Sequence, residues 1–183
     1  MSLAQRPTPA KLVIGLFTAD KELIVPVAEA LAERYGPPDM VSPWIAFDDT
    51  DYYRTEMGGP LFRRMMAFAA LIDPGALARI KEETNALEMQ WAKGAERRVN
   101  IDPGYLARSR FVLATGKDHT HRIYLERGIY ADLTLIFTQG GFQRLPWTYP
   151  DYAGPVLRGF LEKVRQRYLV DLQQLAEAGK RKP

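Results

Sequence analysis

The chain has no cysteine among its 183 residues. Disulfides, thiol nucleophiles and thiolate-held zinc or iron–sulfur centres are therefore excluded. Histidine is nearly as scarce: there are two, so a three-histidine metal site is impossible. Serine occurs only at Ser2, Ser42 and Ser109, and none stands in a G-x-S-x-G elbow. No G-x-G-x-x-G follows the apolar run "KLVIGLF" or occurs elsewhere, which speaks against a Rossmann dinucleotide site. Gly116-Lys117 is followed by Asp118, with no glycine at position 111, so it is not a Walker loop. The longest apolar run, Met65 to Ile72, is too short to cross a bilayer. "MSLAQRPTPAK" lacks the apolar stretch of a signal peptide. These absences lead to the expectation of a cytoplasmic protein with no membrane role.

The composition, 46% hydrophobic and 26% charged, is that of a globular protein. The length predicts one domain over 1–183, with 1–10 and 178–183 as flexible ends. The formal charge of +3 is unevenly placed. From Arg158 to Pro183 there are seven Lys/Arg against three acids, so the rest of the chain sums to −1. A basic tail of this kind reads as solvated rather than as a nucleic-acid stripe.

Along the chain, "KLVIGLFT" predicts a buried strand. A helix follows, with Leu23, Val27, Leu31 and Tyr35 near one face, and Gly36-Pro37-Pro38 ends it. "SPWIAFD" predicts a second strand and "DTDYYRTEMGGP" a loop; "MMAFAALI" is a third strand. Asp73-Pro74 then caps a helix carrying Leu77, Ile80, Thr84, Leu87 and Trp91 at spacings of three and four, closed by Lys93-Gly94. With "RRVNI" as a fourth strand, the order is β-α-β-β-α-β. The expected fold is thus α+β, a ferredoxin-like core extended by antiparallel strands, with a C-terminal helix burying Leu157, Leu161, Val164, Tyr168, Leu172 and Leu175.

Both histidines fall in "ATGKDHTHRIYLERGIYADL". Alternation of Ile129, Ala131, Leu133, Leu135 and Phe137 predicts a half-buried strand. A three-residue loop, Glu126 to Gly128, would pair Leu125 with Ile129, Ile123 with Ala131 and His121 with Leu133 on one face. On the other it would set Tyr124 against Tyr130 and Arg122 against Asp132. Arg122 and Asp132 then form a cross-strand ion pair worth ~0.2–1 kcal/mol if exposed. "NIDPGY" reads as a Pro-Gly turn capped by Asp102.

The candidate site gathers these residues. The bend at Gly116 would bring Lys117 and an imidazole to one cavity with Asp102. His119 or His121 would act as general acid/base and Asp102 or Asp132 would orient it. Lys117 and Arg122 would hold an anion. Asn100, Tyr105, Tyr53 and Glu56 complete the expected ligand-binding set. The spacing of His119 and His121, joined by Asp102, Asp118 or Asp132, is weak support for a metal, and no cofactor is named by the sequence. Asp48, Asp49, Asp51 and Glu56 form an acidic cluster that reads as a solvated loop. Trp147, Tyr149 and Tyr152 in "PWTYPDY" form an extended segment packing over the core.

"YYRTEMG", "NIDPGY", "ATGKDHTHRIYL", "GIYADLTL" and "PWTYPDY" together resemble a family of uncharacterised bacterial and archaeal proteins catalogued as a domain of unknown function. The resemblance covers nearly the whole chain and implies a single domain of about this length with no assigned activity. Some relatives carry a GDP-mannose dehydrogenase label, which this sequence disfavours because it lacks the glycine fingerprint and a catalytic cysteine. Two function classes follow from the residues. The first is an enzyme or ligand-binding protein acting on a small anionic molecule, phosphorylated or nucleotide-like. The second is a non-enzymatic RNA- or protein-binding module using Tyr124, Tyr130 and the basic tail. The sequence decides neither the reaction nor the oligomeric state.

Overall fold

Apolar residues on both faces make the first strand a central one: all nine residues of β1 (Ala10–Thr18) are buried. In the computed structural model, which describes residues 1, 3–47, 53–94 and 96–180, nine strands form one open antiparallel sheet. After β1 come α1 (Ile24–Tyr35), β2 (Pro38–Val41), β3 (Ile45–Ala46), α2 (Arg54–Met57), β4 (Phe62–Ile72), α3 (Leu77–Gln90) and β5 (Asn100–Ala107). The remaining elements are β6 (Arg110–Thr115), β7 (Arg122–Glu126), β8 (Ile129–Thr138), β9 (Gly141–Arg144), α4 (Pro150–Ala153) and α5 (Pro155–Lys180). The sheet order is β2-β4-β1-β5-β6-β8-β7, with β3 against β4 and β9 against β8. The fold is α+β with a C-terminal helix, as the sequence leads one to expect. No helix among the described residues is long and apolar enough to cross a membrane.

The sheet separates two apolar layers. Leu12, Ile14 and Leu16 pack with Val27 and Leu31 of α1 and Ile80 and Leu87 of α3. Val13, Met65, Leu106 and Phe111 pack on the other side with Leu157, Leu161, Val164 and Tyr168 of α5. Leu172 is buried, but Leu175, expected in the same stripe, is 51% exposed because the last turns of α5 carry only exposed residues. Asp73 accepts the N–H of Gly75 and starts a short 3₁₀ turn that leads into α3.

Several boundaries differ from expectation. Pro38 opens a strand rather than only stopping a helix; β2 is an edge strand, where a missing N–H is tolerated. The strand expected over "SPWIAFD" shrinks to the two residues of β3. The fourth strand begins at Asn100, not at Arg97, and runs straight through Pro103-Gly104, so "NIDPGY" is strand and not turn. The β5–β6 ladder extends only from Ala107–Arg110 to Gly104–Leu113, so Pro103 stands at the first position with no partner on the β6 side. At Gly104 a Cβ would lie 2.5 Å from the Val112 carbonyl oxygen, so only glycine permits this approach of the strands.

The hairpin keeps most of its expected register: Arg122 lies opposite Asp132, Ile123 opposite Ala131 and Tyr124 opposite Tyr130. Its turn, however, has two residues. Arg127 and Gly128 both adopt positive φ, 53° and 74°, and a bulge between Tyr124 and Glu126 absorbs the residue that a two-residue turn would otherwise slip. His121 precedes β7 and has no strand partner.

Candidate functional site

A cavity of about 280 Å³ opens where β5 and β6 stop pairing. Asn100 and Asp102 line it from the start of β5, which is paired with β1 but not with β6, and Ala114 to Lys117 line it from the end of β6. Phe17 of β1 and Arg63 of β4 contribute from the sheet, and Lys81 of α3 from the helix layer. The segment Tyr149–Tyr152, leading into α4, covers it. That segment is fixed by local bonds: Trp147 Nε1 donates to the Leu133 carbonyl at 2.8 Å, and the Thr148 hydroxyl to that of Thr134 at 2.6 Å.

The lining is cationic. Arg63, Lys81, Arg97, Lys117 and Arg122 face Asp102, Asp132 and Asp151, five positive groups against three negative among the described residues. Two of the three carboxylates are saturated and buried. Asp132 accepts from Arg122 Nε at 2.9 Å, from His121 Nε2 at 3.2 Å and from the Thr134 hydroxyl at 3.3 Å. Asp151 is ion-paired with Arg63. Arg122 also donates to the Lys117 carbonyl and the Tyr149 hydroxyl, each at 2.9 Å. One guanidinium thus joins β8, the Gly116 bend and the covering segment.

Asp102 differs. Its side chain is 28% exposed, its nearest cations are Lys81 Nζ at 3.7 Å and Arg63 at 4.0 Å, and both lie beyond hydrogen-bond reach. Conversely, several donors lack acceptors. Arg97 is held by Glu56 through two 2.7 Å bonds and donates to Asn100 Oδ1 at 2.9 Å. That bond fixes the amide orientation and leaves Asn100 Nδ2 buried without a partner. Arg63 Nε and the Tyr152 hydroxyl are also buried and unpartnered. Each such group costs about 1–3 kcal/mol unless something fills the gap. Three of them belong to residues that line one cavity.

Burial raises the Tyr53 hydroxyl to about 12, with the Asp102 charge adding to the effect, so Tyr53 stays a neutral donor at physiological pH. Burial opposes the Arg63 charge, but Tyr152 and the carboxylates of Asp151 and Asp102 outweigh it, and the guanidinium holds its proton more tightly than usual. Its planar face lies 4.4 Å from the Phe47 ring, 5.0 Å from Tyr152 and 5.2 Å from Phe17.

Of the residues singled out in the sequence, Asp102, Asp132, Lys117, Arg122, Asn100 and Tyr53 line this cavity. His119, His121, Tyr105 and Glu56 are not among its lining residues. His121 lies behind Asp132 and stacks on Trp147 at 5.0 Å, with exposed His119 stacked beyond it at 6.1 Å. Tyr105 packs with Leu77 and Val112 in a separate apolar cluster. Glu56 acts one step removed, by holding Arg97. Asp48, Asp49 and Asp51 lie outside the described residues. Among the described residues no group of three or more His, Asp or Glu is arranged to hold a metal. The sequence reading passes over Arg63, Lys81, Arg97 and Asp151. A signal for two of them was present: Lys81 falls beside Ile80 on the apolar stripe of α3, and Arg63 opens the apolar run of β4.

Glu88 underlies the site from α3. Its carboxylate accepts the Ile101 N–H at 2.6 Å beside Lys81 and Arg97. Burial raises its pKa despite those cations. A raised carboxyl contributes stability that is full below its unfolded value, about 4.3, and is lost as pH rises through the folded value. Glu88→Gln keeps an acceptor for Ile101 without the charge. The variant is therefore expected to be at least as stable as the parent at pH 7, with the advantage shrinking to nothing below about pH 4. Melting curves across that range check this, and a variant less stable at pH 7 than at pH 4, relative to the parent, contradicts it.

A family model described as a domain of unknown function (DUF4416) matches residues 8–168. No curated protein and no solved structure matches the chain.

Proposed function

The chain belongs to the DUF4416 family, and from the geometry of its cavity we propose that it binds a small anionic molecule between β5 and β6. The observation that carries this reading is the pairing of a net positive lining with an unpartnered, buried Asn100 amide. An anion supplies acceptors and negative charge together, which is what those groups lack. Lys117 and Asn100 are its binding residues, Arg122 adds positive charge while its three nitrogens hold the cavity walls, and Asp102 and Asp132 are the carboxylates beside it. The histidines enter through Asp132, which His121 contacts, and not through the ligand. The ferredoxin-like reading of the first hundred residues belongs to this proposal, supported by the antiparallel neighbours β2-β4-β1-β5. So does the reading of the chain as one domain. The nucleic-acid alternative has less support: Tyr124 and Tyr130 pack edge to face on each other at 5.4 Å.

Calorimetric titration with inorganic phosphate at low ionic strength tests the reading. Binding is expected for the parent protein, with affinity lowered about tenfold or more in Asn100→Asp, which keeps the acceptor for Arg97 but puts a carboxylate in place of the free amide. Absence of phosphate binding by the parent, or equal affinity in the variant, overturns it.

A further inference from the structure

We propose that the occupant is the phosphate ester of a small sugar or polyol, with Asp102 receiving its hydroxyl groups. This rests on the anion-binding reading above and concerns what else the ligand carries. Its starting point is that Asp102 is chemically out of place in an anion site. Among the described residues it accepts no hydrogen bond, and it is partly exposed to the cavity that Asn100 and Lys117 also line. A bare anion cannot satisfy it, because a carboxylate needs donors.

Three kinds of donor are conceivable, and the surroundings choose among them. A ligand ammonium would meet Lys81 at 3.7 Å and Arg63 at 4.0 Å from the same carboxylate, inside a lining with excess positive charge. Like-charge repulsion disfavours it. A metal ion meets the same repulsion, and among the described residues Asp102 has no second and third ligand beside it. Hydroxyl groups remain: neutral donors that a carboxylate flanked by cations accepts without penalty.

The buried aromatic wall is closed to a nucleobase; Tyr149, which also lines the cavity, is 45% exposed, so a nucleotide belongs among the test ligands. A base needs an open ring face to stack on. Phe17 and Phe47 stack on each other at 4.7 Å, Tyr53 sits edge-on to Phe17 at 4.7 Å, and Arg63 covers both phenyl rings. Both phenylalanines are buried, so their faces are taken. The space also suits a compact ligand. At about 280 Å³ it is roughly nine times the ~30 Å³ share of one water molecule, more than a free phosphate fills. It falls at the lower end of the roughly 300–1,000 Å³ typical of small-molecule sites.

Titration of the protein with inorganic phosphate, ribose 5-phosphate, propyl phosphate and adenosine monophosphate tests this. Ribose 5-phosphate is expected to bind about tenfold tighter than inorganic phosphate, and propyl phosphate to lose that advantage. Asp102→Asn is expected to bring ribose 5-phosphate close to inorganic phosphate while leaving phosphate affinity intact or improved. Phosphate binding by the variant also reports that it has folded; if it has not, the comparison of ribose 5-phosphate with propyl phosphate on the parent protein decides alone. Equal affinity for those two ligands overturns the proposal, as does a preference for the nucleotide. Neither result touches the anion reading, which is decided by phosphate binding to the parent and by its weakening in Asn100→Asp.

Discussion

Lys11→Met is expected to destabilise the fold by about 3–5 kcal/mol, the cost of removing one partner from a buried charge network. Lys11 is fully buried in β1, with Nζ 2.5 Å from Asp39 and 2.7 Å from Asp171. The two carboxylates come from β2 and α5, so one ammonium ties the sheet edge to the C-terminal helix through the central strand. Arg167 approaches both acids from the surface, at 3.5 and 2.9 Å, but is half exposed and does not enter the space that Nζ occupies. Asp39 Oδ1 already lacks a partner, so the variant strands a carboxylate that is short of donors in the parent. Equilibrium urea unfolding measures the loss. A triple variant that adds Asp39→Asn and Asp171→Asn is expected to regain much of it, because no uncompensated charge then remains inside. A single-variant loss below about 1 kcal/mol would place the network among solvated surface pairs instead.

Lys11 also illustrates which features were legible in the sequence. Residues that obey a period were: the stripe of α3 and the cross-strand partners of Arg122 and Tyr124 follow from spacing. The alternation expected of β8 does not hold, because a register shift against β6 puts Leu135 and Phe137 on the α5 side and Ile129, Ala131 and Leu133 on the α3 side. Features that depend on a distant segment were not legible. Lys11 stands at the head of an apolar run as though solvated, and it is Asp39 and Asp171, 28 and 160 residues away, that make it interior. Pro103-Gly104 has the composition of a turn, yet Gly104 is required by the Val112 carbonyl and the chain stays extended. A two-residue turn at Arg127-Gly128 would by itself slip the register, and the bulge that repairs the slip leaves no mark in the residue pattern. For the cavity, residues near the Gly116 bend and the start of β5 were within reach of motif reading. Arg63 and Lys81 showed only as charges placed on apolar stretches; that both face one cavity depends on β5 and β6 parting, which their own segments do not mark.

Arg122 shows how far burial changes the energetics of a correctly read pair. An exposed cross-strand pair is worth ~0.2–1 kcal/mol. The side chains of Arg122 and Asp132 are 2% and 4% exposed, so the pair belongs to another regime. Arg122→Ala is expected to cost about 3–5 kcal/mol, since among the described residues Asp132 then keeps His121 and Thr134 as its side-chain donors. Adding Asp132→Asn is expected to return part of the loss, and a double-mutant cycle read by urea unfolding gives the coupling. A cost under about 1 kcal/mol would mean that the pair is solvated after all. Charge is only part of what Arg122 supplies. Its three nitrogens go to three acceptors, Asp132, the Lys117 carbonyl and the Tyr149 hydroxyl. A lysine replaces the charge but not the planar fork. Arg122→Lys is therefore expected to recover little of the alanine loss and to leave the Gly116 bend and the covering Tyr149 segment less protected from hydrogen exchange. If lysine restores both stability and protection, the role of Arg122 is its charge, and the linkage of the cavity's walls must come from elsewhere.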